Sequence, residues 1–421
     1  MPDAPLQPSP WMLLPFGLLL AAIALGPLRF GQWWLRHYPK VAGVLGAIAV
    51  AYYLFALHAP QRVLHTAHEY VSFIALIGSL YVVAGGIHLG VKGEATPAGN
   101  ALFLLLGALL ANVLGTTGAS MLLIRPWLAL NRRRLAPHHI VFFIFIVANV
   151  GGGLTPIGDP PLFLGYLQGV PFWWVAKTCW PIWLVAMGLL LALFHAIDRR
   201  NYLRTAAEPR VQHDEPPGQW RCDGAHNALF LAVILGAVFI EKPLFLREGL
   251  MVGAALGSYF TTRKSIHESN GFTFHPLCEV VILFLGIFAT MMPALDWLQA
   301  HAAQLGATSP AFFYWATGTL SSVLDNAPTY LCFLSVATGQ SGDIPSQLLV
   351  PSFAADLAAI SVGAVFFGAA TYIGNGPNFM VKAIADQQGA KTPSFLGYLV
   401  RFTLPCLLPV LVAVWWIFFR R

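Results

Sequence analysis

Charged residues are scarce in this sequence. Asp, Glu, Lys and Arg make up 10% of the 421 residues, whereas 57% are hydrophobic. A soluble domain has about a quarter of its residues charged, so the composition excludes a soluble globular protein. Apolar runs of roughly 17 to 25 residues recur along the chain, which is the length that a helix needs to cross a bilayer. The sequence predicts an all-α polytopic membrane protein embedded in a lipid bilayer.

Cysteine is also rare. Its five copies are scattered, and none belongs to a Cys-x-x-Cys pair. This spacing excludes both a disulfide framework and a zinc site. The formal net charge of +6 does not indicate a nucleic-acid partner, because Lys and Arg lie in short loops between apolar runs. In such loops they indicate which end of each span faces the cytoplasm.

One motif occurs twice. Residues 155–163 (TPIGDPPLF) and 371–379 (TYIGNGPNF) share the pattern Thr-x-Ile-Gly-(Asp/Asn)-x-Pro-x-Phe and lie 216 residues apart. A helix broken inside a membrane persists only where protein or a water-filled cavity satisfies the freed backbone groups. Matching breaks in the two halves of a membrane protein indicate the binding site of a transporter.

Two further apolar segments, about 100–130 and 311–337, carry a polar break in the middle. The breaks are residues 112–118 (NVLGTTG) and 322–328 (SVLDNAP). Each segment is too long for one ordinary span. It could therefore be one long span or two half-length helices folded back as a re-entrant hairpin.

Charge placement favours the hairpins. Lys92 precedes the first segment and residues 132–134 (RRR) follow it, so both of its ends look cytoplasmic. The stretches beside the second segment, 294–310 and 338–351, contain no Lys or Arg, so both of its ends look external. One hairpin is expected to enter from the inside and the other from the outside.

The order of elements repeats with inverted orientation. Each half has three spans, a hairpin, a broken helix and a closing span, which predicts a first repeat at 1–197 and a second at 226–421. The broken helices are expected at about 138–168 and 352–390, and a cytoplasmic linker at 198–225 joins the repeats. The hairpin tips match at an offset of 210 residues, close to the 216 of the paired motifs.

An Asx residue stands shortly before a proline at Asp159, Asp325 and Asn375. Such a residue can cap the free N–H groups at the start of a half-helix, so the aspartates could be purely structural. An ionised Asp at membrane depth costs about 2.5 to 3.5 kcal/mol, however, and Asn would cap nearly as well. The choice of Asp at two positions favours a use of the negative charge. Two carboxylates in one cavity favour a small cation.

The candidate site follows from the preference of hard cations such as Na⁺ for oxygen ligands. Carboxylates of Asp159 and Asp325 would bind Na⁺, and competition by H⁺ for the same groups is sufficient for exchange. Further oxygen ligands are expected from Thr155, Asn326, Thr371 and Asn375. Additional candidates lie at the breaks and in the span that contains Glu279: Asn112, Thr116, Thr117, Ser322, Asn378 and Glu279 itself. Glu279 could extend a proton path or simply lie at the membrane interface. Apart from Na⁺ and H⁺ no cofactor is expected.

These motifs resemble those of the ion transporter superfamily over nearly the whole chain. The superfamily includes NhaD-type sodium/proton antiporters, ArsB-type arsenite pumps, citrate-metal carriers and divalent anion/sodium symporters. Residues 151–161 (GGGLTPIGDPP) look like its broken-helix loop, and residues 322–328 look like the Asp-Asn-x-Pro hairpin tip of the NhaD branch. The resemblance implies a cation site around Asp159 and Asp325, a homodimer and a location in the bacterial inner membrane.

Superfamily members that carry di- and tricarboxylates with sodium usually have Ser-Asn-Thr at both hairpin tips. This chain has Gly-Thr-Thr at 115–117 and Asp-Asn-Ala at 325–327, which argues against a dicarboxylate site. Our hypothesis is therefore a secondary transporter that exchanges Na⁺ for H⁺ by alternating access. The alternative is a cation-coupled transporter of citrate or another organic anion. An intramembrane enzyme is not expected, because no nucleophile-base pair lies at a suitable depth.

The predicted topology can be tested with single cysteines in a background without the five native ones. Asp343→Cys lies in the loop after the second hairpin and is expected to react with an impermeant maleimide added outside intact cells. Gln212→Cys lies in the linker and is expected to react only after the cells are opened. The reverse pattern would overturn the assignment of inside and outside.

Overall fold

The computed structural model describes residues 6–90, 96–206, 221–240, 242–304, 309–339 and 344–420. Residues 207–220 of the predicted linker lie outside these ranges, as do the labelling positions 212 and 343. Within them, seven helices are long and apolar enough to cross a membrane: Arg29–Ala56, Pro60–Gly85, Pro97–Leu130, Trp174–Arg204, His275–Gln304, Pro351–Ala370 and Phe395–Phe419. The chain is a largely helical, multi-pass membrane protein, which confirms the class predicted from composition.

The first half of the chain contains α1 (Leu14–Ala51), α2 (Pro60–Gly85), α3 (Pro97–Leu130), α4 (Pro137–Ile146), α5 (Pro160–Leu167) and α6 (Trp174–Ala206). The second half contains α7 (Asn227–Ala237), α8 (Leu246–Thr261), α9 (Lys264–Ser269), α10 (His275–His301), α11 (Pro310–Ser321), α12 (Asn326–Thr338), α13 (Ile344–Gln347), α14 (Pro351–Phe367), α15 (Gly376–Gln387), α16 (Phe395–Tyr398) and α17 (Leu408–Val414). Short 3₁₀ turns cover Pro10–Leu13, Arg132–Arg134, Val150–Gly152, Ala302–Gln304 and Gly368–Ala370, and π-helical turns cover Tyr52–Ala56, Leu399–Leu407 and Trp415–Phe419. Strands β1 (His88–Gly90) and β2 (Arg221–Asp223) form one antiparallel pair.

Proline sets the start of many of these helices. It is the first residue of α2, α3, α4, α5, α11 and α14. At this position its missing N–H costs nothing, and its fixed φ already suits a helix. The prolines at the start of α5 and α11 begin half-length helices, so the same rule that starts ordinary spans also starts the broken elements.

Helix α3 folds back on itself at Gly115. This residue has φ +72°, a conformation that glycine adopts without strain. Asn100 Nδ2 donates a 2.7 Å hydrogen bond to Asn131 Oδ1. In a straight helix the 31 residues between them would span about 46 Å. The two arms therefore lie side by side, and the rings of Phe103 and Trp127 contact each other across them at 5.3 Å between centroids.

Helices α11 and α12 form a second pair of arms, joined at residues 322–325. The rings of Phe313 and Phe333 lie 6.5 Å apart across this pair. The arms coincide with the segment 311–337 that the sequence marks as broken. Entry of each pair from a different side of the membrane stays a prediction.

Both predicted helix breaks are present and have the same backbone arrangement. The first lies between α4 and α5, and the second lies between α14 and α15. A methyl group added at Gly158 would lie 2.1 Å from the oxygen of Gly152, and one added at Gly374 would lie 2.6 Å from the oxygen of Gly368. These two pairs are related by the 216-residue offset of the repeated motif. In each break the chain crosses itself so closely that only glycine fits.

Each hairpin contacts the broken helix of its own half at equivalent positions. The small residue lies on the hairpin in the first half and on the broken helix in the second half. Gly107 on the first hairpin contacts Val147, which lies just beyond α4. The corresponding pair in the second half is Thr317 and Gly363. A small residue faces a larger one in both halves, because the close approach leaves room for only one side chain of substantial size.

Five of the remaining helices pack largely against one another. We call α1, α2, α7, α8 and α10 the outer helices, and the hairpins with the broken helices the central elements. Helix α1 packs along α10, and α2 packs along α8. Ala42 and Gly286 show how closely α1 approaches α10, since a methyl group added at Gly286 would lie 3.0 Å from the Ala42 Cα. Helix α2 also contacts α3, so it is an outer helix that borders the hairpin.

The glycine crossing predicts a strong effect of one methyl group. Gly158→Ala is expected to lower the free energy of unfolding by about 1–3 kcal/mol or more, because the backbone of Gly152 must move. Gly188→Ala in α6 is the control, since a methyl group there meets no atom within 4 Å. Thermal unfolding of the two purified variants measures the difference. Equal melting temperatures would contradict the predicted role of the crossing.

Candidate functional site

The four predicted breaks meet at the carboxylate of Asp159, which is 1% exposed. Thr116 Oγ1 donates a 2.8 Å hydrogen bond to Asp159 Oδ1. Asn375 Nδ2 donates to the same oxygen at 3.0 Å, and Asn326 Nδ2 donates to Oδ2 at 2.6 Å. Thr116 comes from the first hairpin tip, Asn326 from the second and Asn375 from the second broken helix. Each break therefore contributes one side chain to a single buried group.

The local sequence explains why Asp159 is available for these contacts. It precedes α5 but makes no capping hydrogen bond. The next two residues are Pro160 and Pro161, which have no N–H for it to accept. Asp325 behaves differently, because its Oδ1 accepts the N–H of Ala327 at 3.0 Å and so caps α12. The capping interpretation thus describes Asp325 and does not describe Asp159.

The charge of Asp159 has no cationic partner among the residues that the structure describes. Its hydrogen-bond donors, a hydroxyl and two amides, are all neutral. A buried carboxylate without a counter-charge is costly even when it is hydrogen-bonded. Such a group is stable when it takes up a proton or when a metal cation lies beside it. The buried Oδ1 of Asn326 also lacks a hydrogen-bond partner, so a second acceptor oxygen lies close to the carboxylate.

Residues at equivalent positions of the two sequence halves meet at the centre of the site. The 216-residue offset pairs Asp159 with Asn375, and the 210-residue offset pairs Thr116 with Asn326. The paired Asp159 and Asn375 touch each other, and both Thr116 and Asn326 donate to Asp159. Two carboxylates at this distance would repel each other. With Asn375 in the second half, the side-chain amide donates a hydrogen bond to the carboxylate of Asp159 in the first half.

Three of the predicted ligands, Asn112, Thr155 and Thr371, brace the breaks instead of touching Asp159. Thr155 Oγ1 donates to the backbone oxygen of Asn112 at 2.6 Å, and Thr371 Oγ1 donates to that of Ser322 at 2.6 Å. These bonds are equivalent under the two offsets. Each ties a broken helix to the hairpin of its own half. The side chain of Asn112 likewise bonds only to backbone groups, of Ala108, Gly151 and Leu154.

Asn149 is a central residue that the sequence analysis missed. Its Oδ1 accepts from Asn375 Nδ2 at 3.1 Å, and its Nδ2 donates to Asn378 Oδ1 at 2.7 Å. It therefore orients Asn375 toward Asp159 and joins α15 to the first broken helix. The signal was present, since Asn149 is the one polar residue in the apolar run 140–150.

Two other candidates, Thr117 and Glu279, make no hydrogen bond to Asp159 in the part of the chain that the structure describes. Thr117 lines a cavity of about 20 Å³ with Leu76, Leu80 and Gly158, between α2 and the breaks. This volume is close to what one water molecule or one small ion needs. Glu279 is half-buried in α10 and lies near Tyr38 of α1. In the described ranges no hydrogen bond or ion pair joins it to the central elements.

Residues 6–419 match the model of a family described as "Putative citrate transport". The match covers both halves and every break described above. Among curated proteins no significant match is found.

The contacts of Asn375 predict the result of adding a second charge. In Asn375→Asp the new carboxylate would face Asp159 Oδ1, Asn149 Oδ1 and the oxygen of Ala148, which are all acceptors within 3.2 Å of the present amide nitrogen. We expect unfolding to become easier by about 3 kcal/mol or more at neutral pH. Thermal unfolding at several pH values tests this.

Acidification should restore part of the stability of this variant, since a protonated side chain can donate again. The native chain supplies the control over the same pH range. A variant as stable as the native chain at neutral pH would contradict the hydrogen-bond assignment at the site.

Proposed function

We propose the following function on the premise that the chain belongs to the family described as "Putative citrate transport". Family and fold together make it a secondary transporter that crosses the membrane several times. We infer that Asp159 is its cation-binding group and that it binds Na⁺ and H⁺ in turn. Exchange of the two ions across the membrane is the function that this site supports best.

One observation carries the proposal. Asp159 is buried and receives three neutral hydrogen bonds, but it has no Lys, Arg or His partner in the part of the chain described. A structural carboxylate at membrane depth would be expected to pair with a basic side chain. A carboxylate that must bind and release ions needs to be left without one. Na⁺ and H⁺ then compete for the same oxygens.

The ligands proposed for Na⁺ are oxygen atoms at the four breaks. They are the carboxylate of Asp159, the unpartnered amide oxygen of Asn326 and the hydroxyl of Thr116, with Asp325 adding negative charge from the adjacent position. The half-buried Thr117 extends this set toward the small cavity beside α2. The size of that cavity favours a bare or singly hydrated ion over a large anion.

Alternating access is proposed to arise from the relation between the halves. The contacts at Asp159 join residues 43, 167 and 216 positions apart, so both repeats surround one ion. In an inverted repeat the two halves can exchange roles, which opens the site first to one side and then to the other. We propose that the central elements move against the outer helices, within a homodimer in the bacterial inner membrane.

A second function is favoured by the family description alone. A cation-coupled carrier of citrate or another organic anion would use Asp159 for the coupling ion. The N-termini of α5, α12 and α15 converge on the same region, and their partial positive charge would favour carboxylates. In this version the cation binds first and the anion follows it into an enlarged site.

The two aspartates provide a matched experiment. Everted membrane vesicles are loaded to an acidic interior, and proton efflux is measured on adding Na⁺, Li⁺ or K⁺. Asp159→Asn is expected to abolish the response, because the amide carries no charge and cannot bind a proton. Asp325→Asn should keep the response but need a higher cation concentration to reach half of it, since Asn still caps α12 nearly as well as Asp and only the added negative charge is lost.

Cation-evoked proton flux that survives Asp159→Asn would eliminate Asp159 as the ion-binding group. Uptake of labelled citrate into native vesicles, driven by a Na⁺ or H⁺ gradient and without cation-evoked proton flux, would establish the second function instead. Both measurements use the same membranes, so protein amount is controlled by one immunoblot.

A further inference from the structure

A large apolar groove lies between the outer helices α2, α8 and α10. Its volume is about 600 Å³. Its walls include Ile74 and Val82 of α2, Val252 and Leu256 of α8, and Leu277 of α10. Among the described residues that line it, Glu248 alone carries a charge. Glu248 is 5% exposed, pairs with Arg247 at 2.9 Å and accepts a hydrogen bond from Ser72. The groove therefore suits an apolar ligand.

The groove is long and narrow. It follows α2 from Tyr70 to Val82 and α8 from Glu248 to Tyr259, which corresponds to about 16 to 18 Å. Its volume over this length gives a mean cross-section of about 35 Å². A helix with its side chains is about 10 Å across or more, so no helix of another chain fits inside. An extended, unbranched hydrocarbon chain matches this shape.

Two hydrogen bonds close one end of the groove. Tyr70 Oη donates to the oxygen of Val281 at 2.8 Å, which joins α2 to α10. Ser72 Oγ donates to Glu248 and so joins α2 to α8. A ligand in the groove therefore cannot extend beyond this level between the three helices.

One long side of the groove is open. Val252 and Leu256 on this side are 45% and 52% exposed, and a methyl group added at Gly249 would meet no atom within 4 Å. Helices α2 and α10 are long and apolar enough to cross the membrane, so the opening faces the hydrocarbon of the bilayer. Water gains no hydrogen bonds in an apolar cavity. Lipid chains are the apolar molecules that are present at this depth.

Charge placement assigns the groove to the cytoplasmic half of the membrane. Arg263 and Lys264 follow α8 directly, so this end of the helix is expected inside. The groove reaches this end at Tyr259 and Phe274, whose rings lie 5.2 Å apart. Aromatic rings are common at the level of the lipid headgroups. From there the groove extends over about the thickness of one leaflet, which is half of the roughly 30 Å hydrocarbon core.

We propose that this groove binds one acyl chain of a phospholipid from the cytoplasmic leaflet. The chain lies along Val252 and Leu256, and its end lies near the hydrogen bonds of Tyr70 and Ser72. The headgroup stays at the membrane surface beside Tyr259. The bound chain fills the space between three outer helices and stabilises their arrangement.

This site is separate from the one at Asp159. Leu76 and Leu80 of α2 line the small cavity beside Thr117, whereas Ile74 and Gly78 of the same helix line the groove. Helix α2 thus lies between the two sites. Lipid binding goes beyond the cation exchange proposed above and does not depend on it.

Two tryptophan substitutions in α8 form a matched pair. Val252 lines the groove, whereas Leu250 does not and lies on the opposite side of the helix. Both side chains are partly exposed, at 45% and 37%. The indole of Val252→Trp would fill the groove, and that of Leu250→Trp would extend into the bilayer. Equal melting temperatures of the two variants control for folding.

Retained lipid is counted on the purified full chain. The protein is extracted from membranes in detergent, and the phospholipid that stays bound to each chain is counted by native mass spectrometry. We expect one phospholipid on the native chain and on Leu250→Trp. In Val252→Trp it should be lost.

A photoactivatable lipid locates the chain. The protein is placed in nanodiscs of phosphatidylcholine, a small part of which carries a diazirine near the end of one acyl chain, and the labelled residues are identified after illumination. We expect strong labelling beside Ser72 and Glu248, at the closed end of the groove. Val252→Trp should lose this label and keep the weaker one at Leu184, an exposed residue of α6.

Three results would overturn the proposal. One is a Val252→Trp variant that retains its phospholipid. Another is a native chain that retains none and is labelled in the groove no more than at Leu184. The third is a native dimer that retains no phospholipid and separates into monomers in Val252→Trp, which would make the groove a contact between two copies of the chain. Neither measurement uses ion flux, so failure here is distinct from failure of the cation site.

Discussion

The buried carboxylate of Asp159 is the interaction on which the arrangement of the central elements depends. Its three donors come from positions 43, 167 and 216 residues away along the chain. Each donor lies at a place where a helix is interrupted and where backbone groups need partners inside the membrane. The interruptions are tolerated because they occur together. Asn149, Thr155 and Thr371 hold the broken ends in place around that one group.

The positions of the breaks could be predicted from the sequence because they depend on local chemistry. Glycine and proline weaken a helix most where they stand together with polar residues, so the two hairpin segments and the two motif copies were visible as interruptions in apolar runs. The offsets of 210 and 216 residues relate individual contacts in the two halves, and not only the hairpins and broken helices. The bonds from Thr155 to Asn112 and from Thr371 to Ser322 are equivalent under those offsets.

The roles of individual side chains were harder to predict, since they depend on what lies opposite in space. Asp159 and Asp325 look alike in the sequence, and both precede a proline. Asp325 caps its own helix, whereas Asp159 makes no capping bond and the two prolines that follow it have no N–H to donate. Asn149 belongs to no repeated motif, and only its polarity within an apolar run marks it. Its role follows from the partners that it has across the interface between elements.

Equivalent positions in the two halves carry different residues, and this difference has an energetic consequence. An inverted repeat with identical halves would give inward-facing and outward-facing states of equal free energy, each populated half of the time. Here Asp159 faces Asn375, so under the alternating access proposed above the two states would contain different contacts. Nothing in such a pair holds their free energies equal, and a ligand that binds one state better would shift the populations by its difference in affinity. The gradients would then set the direction of net movement, and the difference between the halves would set the waiting time in each state.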